Sequence, residues 1–164
     1  MAHAFFGCAE LGARYITDGK RIKNTVIASR PGCGKTTFVR DLSRLLSAKG
    51  FRVCVVDTRS EIAAMKNGVV FDGYPKAFGM ESAVRAFCPD AVVCDEIGNG
   101  DDLSALRFLF ARGVPFAVTL HCTDACEMMK NAVLRELIGE KLVETVIFLD
   151  SSPCPTHIRE VLTL

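Results

Sequence analysis

A chain of 164 residues, 49% of them apolar, is long enough for one ordinary domain with a core of normal size. Twenty basic against nineteen acidic residues leave a formal charge of +1, so no global field favours nucleic acid or an anionic membrane. No apolar run approaches the roughly 20 residues that span a bilayer, and with no secretory signal before them the eight cysteines read as reduced thiols of a cytosolic protein.

Short β-branched runs alternate with longer amphipathic ones along the chain. The first twenty residues give a short helix feeding the first strand. "NTVIAS" (24–29) reads as a buried strand, followed by a glycine-rich turn and a helix from about Lys35 to Ala48 that Gly50 terminates. "RVCVVDT" (52–58) is a second strand. From Glu61 to Met80 the pattern is irregular, with Gly68, Gly73, Pro75 and Gly79, and reads as a loop with a short hairpin around "GVVF". A helix over about 80–87 stops before Pro89, and "DAVVCDEI" (90–97) is the third strand.

"DDLSALRFLFAR" (101–112) has an acidic first turn and Arg112 near its end, which suits the helix dipole at both termini. "PFAVTLH" (115–121) is a fourth strand, Thr123 or Asp124 can cap a helix to about Leu137, "TVIFLD" (145–150) is a fifth strand, and "THIREVLTL" closes the chain. Strands separated by helices predict a mainly parallel sheet covered on both faces, a three-layer α/β domain.

The chemistry concentrates in "SRPGCGKTT", Ser29 to Thr37, which is one glycine short of the phosphate-binding pattern G-x-x-x-x-G-K-[ST] because Ser29 stands at its first position. Serine can follow the turn there provided its φ stays negative. Gly32 and Gly34 let the backbone curl so that successive N–H groups converge on phosphate oxygens at the positive end of the following helix. The run Pro31, Gly32, Cys33, Gly34, Lys35, Thr36 and Thr37 is therefore expected to cradle a nucleoside triphosphate. Lys35 would reach the β- and γ-phosphates and the Thr36 hydroxyl would ligate Mg²⁺. Arg30 either adds to nucleotide affinity or points to solvent, and solvent is the slightly favoured expectation.

Some 60 residues on, "AVVCDEI" places Asp95 and Glu96 at the carboxyl end of a buried strand, the edge at which open α/β sheets bind ligands. Asp95 is expected to hold the magnesium ion through water, and Glu96 to orient and polarise an attacking water. His121 ends another strand and would emerge at the same edge. "HCTDAC" and the Cys154/His157 pair resemble fragments of a zinc site, but such a site needs four converging ligands and nothing in the sequence brings these segments together. Arg59 and Arg85 are candidates to act in trans on a neighbouring subunit's phosphates, and Phe108, Phe110 and Phe116 are expected in the core.

With these residues in place, "RPGCGKTTFVRDLSRLLS", "VVDTRSEIA", "FDGYPKAFGMESAVRAFCPDAVVCDEIG" and "FAVTLH" resemble successive blocks of the stage III sporulation protein AA family. These are RecA-like ATPases related to the type II and type IV secretion motors. The resemblance covers about residues 11 to 150 and leaves out the family's N-terminal region. It implies a homo-hexameric ATPase on the mother-cell side of a membrane-embedded channel to the forespore, using ATP and Mg²⁺, cytoplasmic and peripheral to the membrane through its partners.

It also implies phosphate and metal roles for Lys35 and Thr36, acidic-strand roles for Asp95 and Glu96, a γ-phosphate sensor role for His121, and an acidic box in "DTRSEIA". Two departures stand out. Thr58 replaces a glutamate of that box, and Ser29 stands where the family usually carries glycine. Losing a carboxylate beside the nucleotide could slow hydrolysis while leaving binding intact, so an ATP-binding assembly module with little turnover remains the alternative. A small-molecule P-loop kinase ranks lower, because the Ala63–Gly79 loop lacks the arginines of a lid.

Overall fold

The computed structural model describes residues 7–58, 62, 69–72 and 75–164. Among them, α1 (Glu10–Ile16) precedes β1 (Thr25–Ser29), α2 (Lys35–Ala48), β2 (Val53–Asp57), β3 (Val69–Asp72), α3 (Lys76–Phe87) and β4 (Ala91–Cys94). Then come α4 (Gly100–Ala111), β5 (Phe116–His121), α5 (Ala125–Met128), α6 (Ala132–Gly139), β6 (Thr145–Asp150) and β7 (His157–Thr163). The described strands form one seven-stranded sheet in the order β3-β2-β4-β5-β1-β6-β7. All neighbours are parallel except β6 and β7.

The alternation of side chains along each strand divides the core into two layers. On one face Val26, Val56, Val92, Val118 and Phe148 pack against Met80 of α3, Leu106 of α4 and Leu134 of α6. On the other, Ile27, Val55, Val93 and Ile147 pack against Ile16 of α1 and Phe38, Leu42 and Leu46 of α2. Strands buried on both faces explain why the sequence shows continuous apolar runs rather than strict alternation. At 25 cal/mol per Å², each large side chain so buried contributes roughly 2 kcal/mol against the entropy of ordering the chain.

Four expectations about secondary-structure elements are corrected. "GVVF" is no hairpin: Val69–Asp72 runs parallel to β2 in the register Cys54↔Val69, because the open edge of β2 offers its ladder to a β-branched run arriving in the same direction. The helix expected to begin near Met80 starts four residues earlier, at Lys76, with Pro75 as its N-cap residue. The helix expected over 124–137 breaks in two. Asp124 caps α5 by accepting from Glu127 N at 2.9 Å, and Asn131 restarts the chain by accepting from Leu134 N at 3.0 Å. The third strand ends at Cys94, so Asp95 and Glu96 lie just past the ladder on the turn that follows.

Of the remaining expectations, the bounds of α2 and the acidic first turn of α4 match the structure, and the placement of two phenylalanines does not. Helix α4 also begins with a capping box in which Asn99 accepts from Asp102 N and Asp102 accepts from Asn99 N, and the closing segment, for which the sequence predicted no element type, is a strand. Phe116 is fully buried, but Phe110 is exposed and Phe108 lies beneath the guanidinium groups of Arg112 and Arg85, 5.1 Å and 5.8 Å from its ring centre. Those two phenylalanines are not core residues. Among the described residues, no helix is long and apolar enough to cross a membrane.

Candidate functional site

The site begins where β1 ends. Ser29 is the last residue of that strand and fully buried, and its backbone is not among those with positive φ. The turn is made instead by Gly32 and Gly34, at φ 80° and 88°. A Cβ on Gly34 would also come within 2.7 Å of Thr156 Cγ2, so this position needs glycine twice over. Thr156 closes the far side of the loop, its N–H donating to Cys33 O at 2.9 Å.

Gly34 is the N-cap of α2, no side chain caps that helix, and its first turn carries no acidic residue. The positive end of the helix dipole therefore faces a cavity of about 390 Å³. Lys35, Thr36, Asp95, Glu96, Thr119 and His121 line it, together with Pro31, Gly32, Gly34 and Thr37. β1, β4 and β5 are neighbours in the sheet, which brings residues some 60 and 86 positions from Lys35 to one edge. Of the expected site residues, only Cys33 does not line this cavity: its side chain is buried.

Lys35 is bent back onto the sheet edge. Its Nζ lies 3.1 Å from Ser29 O, 3.2 Å from Ser29 Oγ, 3.1 Å from Arg30 O and 3.0 Å from His121 Nδ1. An ammonium only donates, so His121 accepts at Nδ1 and carries its proton on Nε2, which lies 3.2 Å from Glu96 Oε1. The result is a continuous Lys35–His121–Glu96 chain in the lining of the cavity. Burial lowers the Lys35 pKa from its ordinary value, and the charges of Cys33 and Glu96 oppose that shift.

The acidic side is held from below. Asp95 is 5% exposed. The carbonyl of Glu96 accepts from Lys76 Nζ, Ile97 N donates to Thr119 O at 2.9 Å, and Gly98 N donates to Asp102 Oδ2 at 2.9 Å. A second cavity of about 310 Å³, lined by Thr58, Lys76, Asp95, Glu96, Gly98, Asn99 and Asp102, adjoins this segment.

Motif spacing did not reveal the Ser29 hydroxyl, Thr119, Lys76 or Asp102. Lys76 and Asp102 carried no motif signal, and Ser29 registered as a departure although its hydroxyl meets the lysine. The Arg59 candidate and most of the acidic box lie outside the described residues. Arg85 pairs with Glu81 at 3.4 Å on the surface of α3. Among the described residues, no cluster of three or more His, Cys, Asp or Glu side chains could hold a metal ion, and all eight cysteines are free thiols.

Comparison with known proteins places this architecture. Residues 1–163 match the model of the family described as sporulation stage III, protein AA. The chain belongs to that family. One relative, stage III sporulation protein AA of Bacillus subtilis (strain 168), is 31% identical over 153 residues, covering 84% of this chain and 50% of its own. This family member thus spans about half the length of that relative.

Among solved structures, the Legionella pneumophila ATPase DotB superposes with a TM-score of 0.62 at 21% identity, covering 85% of this chain and 43% of DotB. The VirB11 ATPase of the Brucella suis type IV secretion system, solved in complex with sulphate, gives 0.63 at 17% identity over 86% and 48%. The family member therefore has the RecA-like fold of secretion ATPases, as the sequence resemblance implied.

Proposed function

We propose that this chain is a single P-loop domain that binds Mg²⁺-ATP in the 390 Å³ cavity and hydrolyses it. The observation that carries the reading is the convergence of the uncapped α2 amino end, Lys35, Thr36, Asp95, Glu96 and His121 on one cavity. The residues fit the ligand: backbone amides, an ammonium and a hydroxyl on the phosphate side, two carboxylates on the other.

Thr36 and Asp95 would hold the magnesium ion, which when bound supplies charge neutralisation along the β- and γ-phosphates. Pro31 through Thr37 wrap the polyphosphate. Lys35 would swing from its resting acceptors to the phosphate oxygens, freeing His121 Nδ1 to take up a proton from solvent and donate it in a hydrogen bond to the γ-phosphate. Glu96, still held by its contact with His121 Nε2, would orient water for in-line attack.

The family and the secretion-ATPase fold support a role as the motor, or the nucleotide-gated component, of a sporulation channel between mother cell and forespore, working as a homo-hexamer on the cytoplasmic side. No nucleic acid is expected as partner. A second reading is favoured by Lys35 being engaged by four acceptors within 3.2 Å: a site so closed at rest suits an assembly module that binds ATP and turns it over slowly.

Phosphate release measured on the unaltered chain, on Lys35→Ala and on Glu96→Gln tests hydrolysis directly. The unaltered protein should exceed both variants. Equal rates in all three would leave only the binding role.

A further inference from the structure

The segment after Glu96 reads Ile97-Gly98-Asn99-Gly100, a sequence with little conformational preference of its own. Gly98 and Gly100 are exposed, and nothing lies within 4 Å of a Cβ built on either. Yet this segment carries Glu96 toward His121. Its order comes from elsewhere in the fold.

Two charged side chains supply it. Asp102, 2% exposed in the first turn of α4, accepts from Gly98 N at 2.9 Å and Asn99 N at 3.4 Å through Oδ2. The same oxygen lies 3.4 Å from Lys76 Nζ, which also donates to Glu96 O. Lys76 opens α3, so the ion pair ties the amino ends of two helices to the backbone that carries Glu96. With Ile97 N held by Thr119 O, a backbone group of every residue from Glu96 to Asn99 has a fixed partner. Neither Lys76 nor Asp102 lines the 390 Å³ cavity.

We propose that Lys76 and Asp102 form a clamp that fixes the Glu96–Asn99 backbone and thereby sets the aim of the Glu96 carboxylate at the attacking water. They are positioning residues, and the proposal rests on the hydrolysis reading above. The physical lever is large: a displacement of about 1 Å at a reacting group costs up to 100-fold in rate, whereas phosphate affinity depends on the α2 amino end and Lys35 and does not pass through this segment. Losing the clamp therefore lowers kcat and spares nucleotide binding.

The test uses the 164-residue chain carrying Lys76→Met, Lys76→Arg or Asp102→Asn, with Lys76→Met also placed in a Glu96→Gln background. Mg²⁺-ATP affinity, kcat, KM and thermal midpoint are measured for each. The expected result is a roughly 10- to 100-fold fall in kcat for Lys76→Met, with affinity within about twofold of the unaltered protein. Lys76→Arg, which keeps the cation, recovers most of the rate.

In the Glu96→Gln background Lys76→Met produces no further fall, because there is no aimed carboxylate left to lose. Should Asp102→Asn unfold α4, the two Lys76 variants and the double variant still decide the matter. An unchanged kcat in Lys76→Met, or an equal further fall in the Glu96→Gln background, overturns the clamp alone. Absence of phosphate release from the unaltered chain overturns the hydrolysis reading and the clamp together.

Discussion

Lys35 Nζ sits 3.0 Å from His121 Nδ1, on the opposite side of the imidazole from Glu96. Lys35 is thus coupled at rest to Glu96 through one imidazole ring. Removing the ring separates the two ends. His121→Ala should leave ATP affinity within about threefold while lowering phosphate release by roughly 10- to 100-fold, since Lys35 keeps its other acceptors and Glu96 loses its orienting donor. Parallel nucleotide titration and turnover assays check this. A proportional loss of both would mean that the histidine only maintains the fold.

Ser29 holds Lys35, the group that the proposed phosphate binding would draw away. Its hydroxyl lies 3.2 Å from Nζ, and a glycine there would remove that acceptor while the carbonyl at 3.1 Å remains. Ser29→Gly should tighten ATP binding by roughly two- to fivefold, a small effect because three acceptors remain for the three N–H groups of Lys35. It should cost up to about 1 kcal/mol of stability through glycine entropy in a strand. Titration calorimetry and denaturant unfolding give the two signs.

Motif spacing anticipated that Lys35 and Thr36 at the amino end of α2 and the paired acids just after β4 line one cavity, because the order of the strands alone brings these segments together. It did not reveal what Ser29, Lys76 and Asp102 touch. Those contacts arise from side chains that reach back or across between elements far apart in sequence, and no local pattern encodes a reach. The "GVVF" run shows the same limit: its β-branched residues marked a strand, but only the open edge of β2 could say that it runs parallel. The break between α5 and α6 was legible in principle, since Asn131 is a strong cap residue, but the apolar periodicity on either side masked it.

Glu144 ties the opposite edge of the sheet. It accepts from Asn24 N at 2.9 Å and from the Arg21 guanidinium, and although burial raises its pKa these donors hold it below its ordinary value of 4.5. A carboxylate with a depressed folded pKa stabilises the protein above its unfolded value, and that contribution disappears as the pH falls through the folded one. Glu144→Gln should therefore cost about 1 kcal/mol at pH 7, and the gap to the unaltered protein should close below about pH 4. Urea unfolding across that range measures it.

Gly12 of α1 faces Phe38 of α2, and a Cβ there would fall 2.3 Å from the ring. Phe38 is fully buried, so the ring has little room to move. Gly12→Val should destabilise the chain by roughly 1–3 kcal/mol. A thermal scan that shows no loss would mean α1 is not packed on α2.

Thiol reactivity should follow burial. Cys88, Cys126 and Cys154 are exposed, whereas burial pushes the Cys54 thiol up to about 11, and burial with Asp41 does the same to Cys8. Brief alkylation at pH 7 followed by mass spectrometry should modify the first three well before Cys8, Cys33, Cys54, Cys94 and Cys122. Early modification of Cys54 or Cys94 would contradict the central position of β2 and β4.

The central claim is that the amino end of α2 and Lys35 bind a nucleoside triphosphate. Equilibrium titration of Mg²⁺-ATP into the unaltered chain and into Lys35→Ala tests it most directly. Saturable binding that weakens at least about 10-fold in the variant is the predicted result; no binding to the unaltered chain, or equal affinity in both, would contradict it.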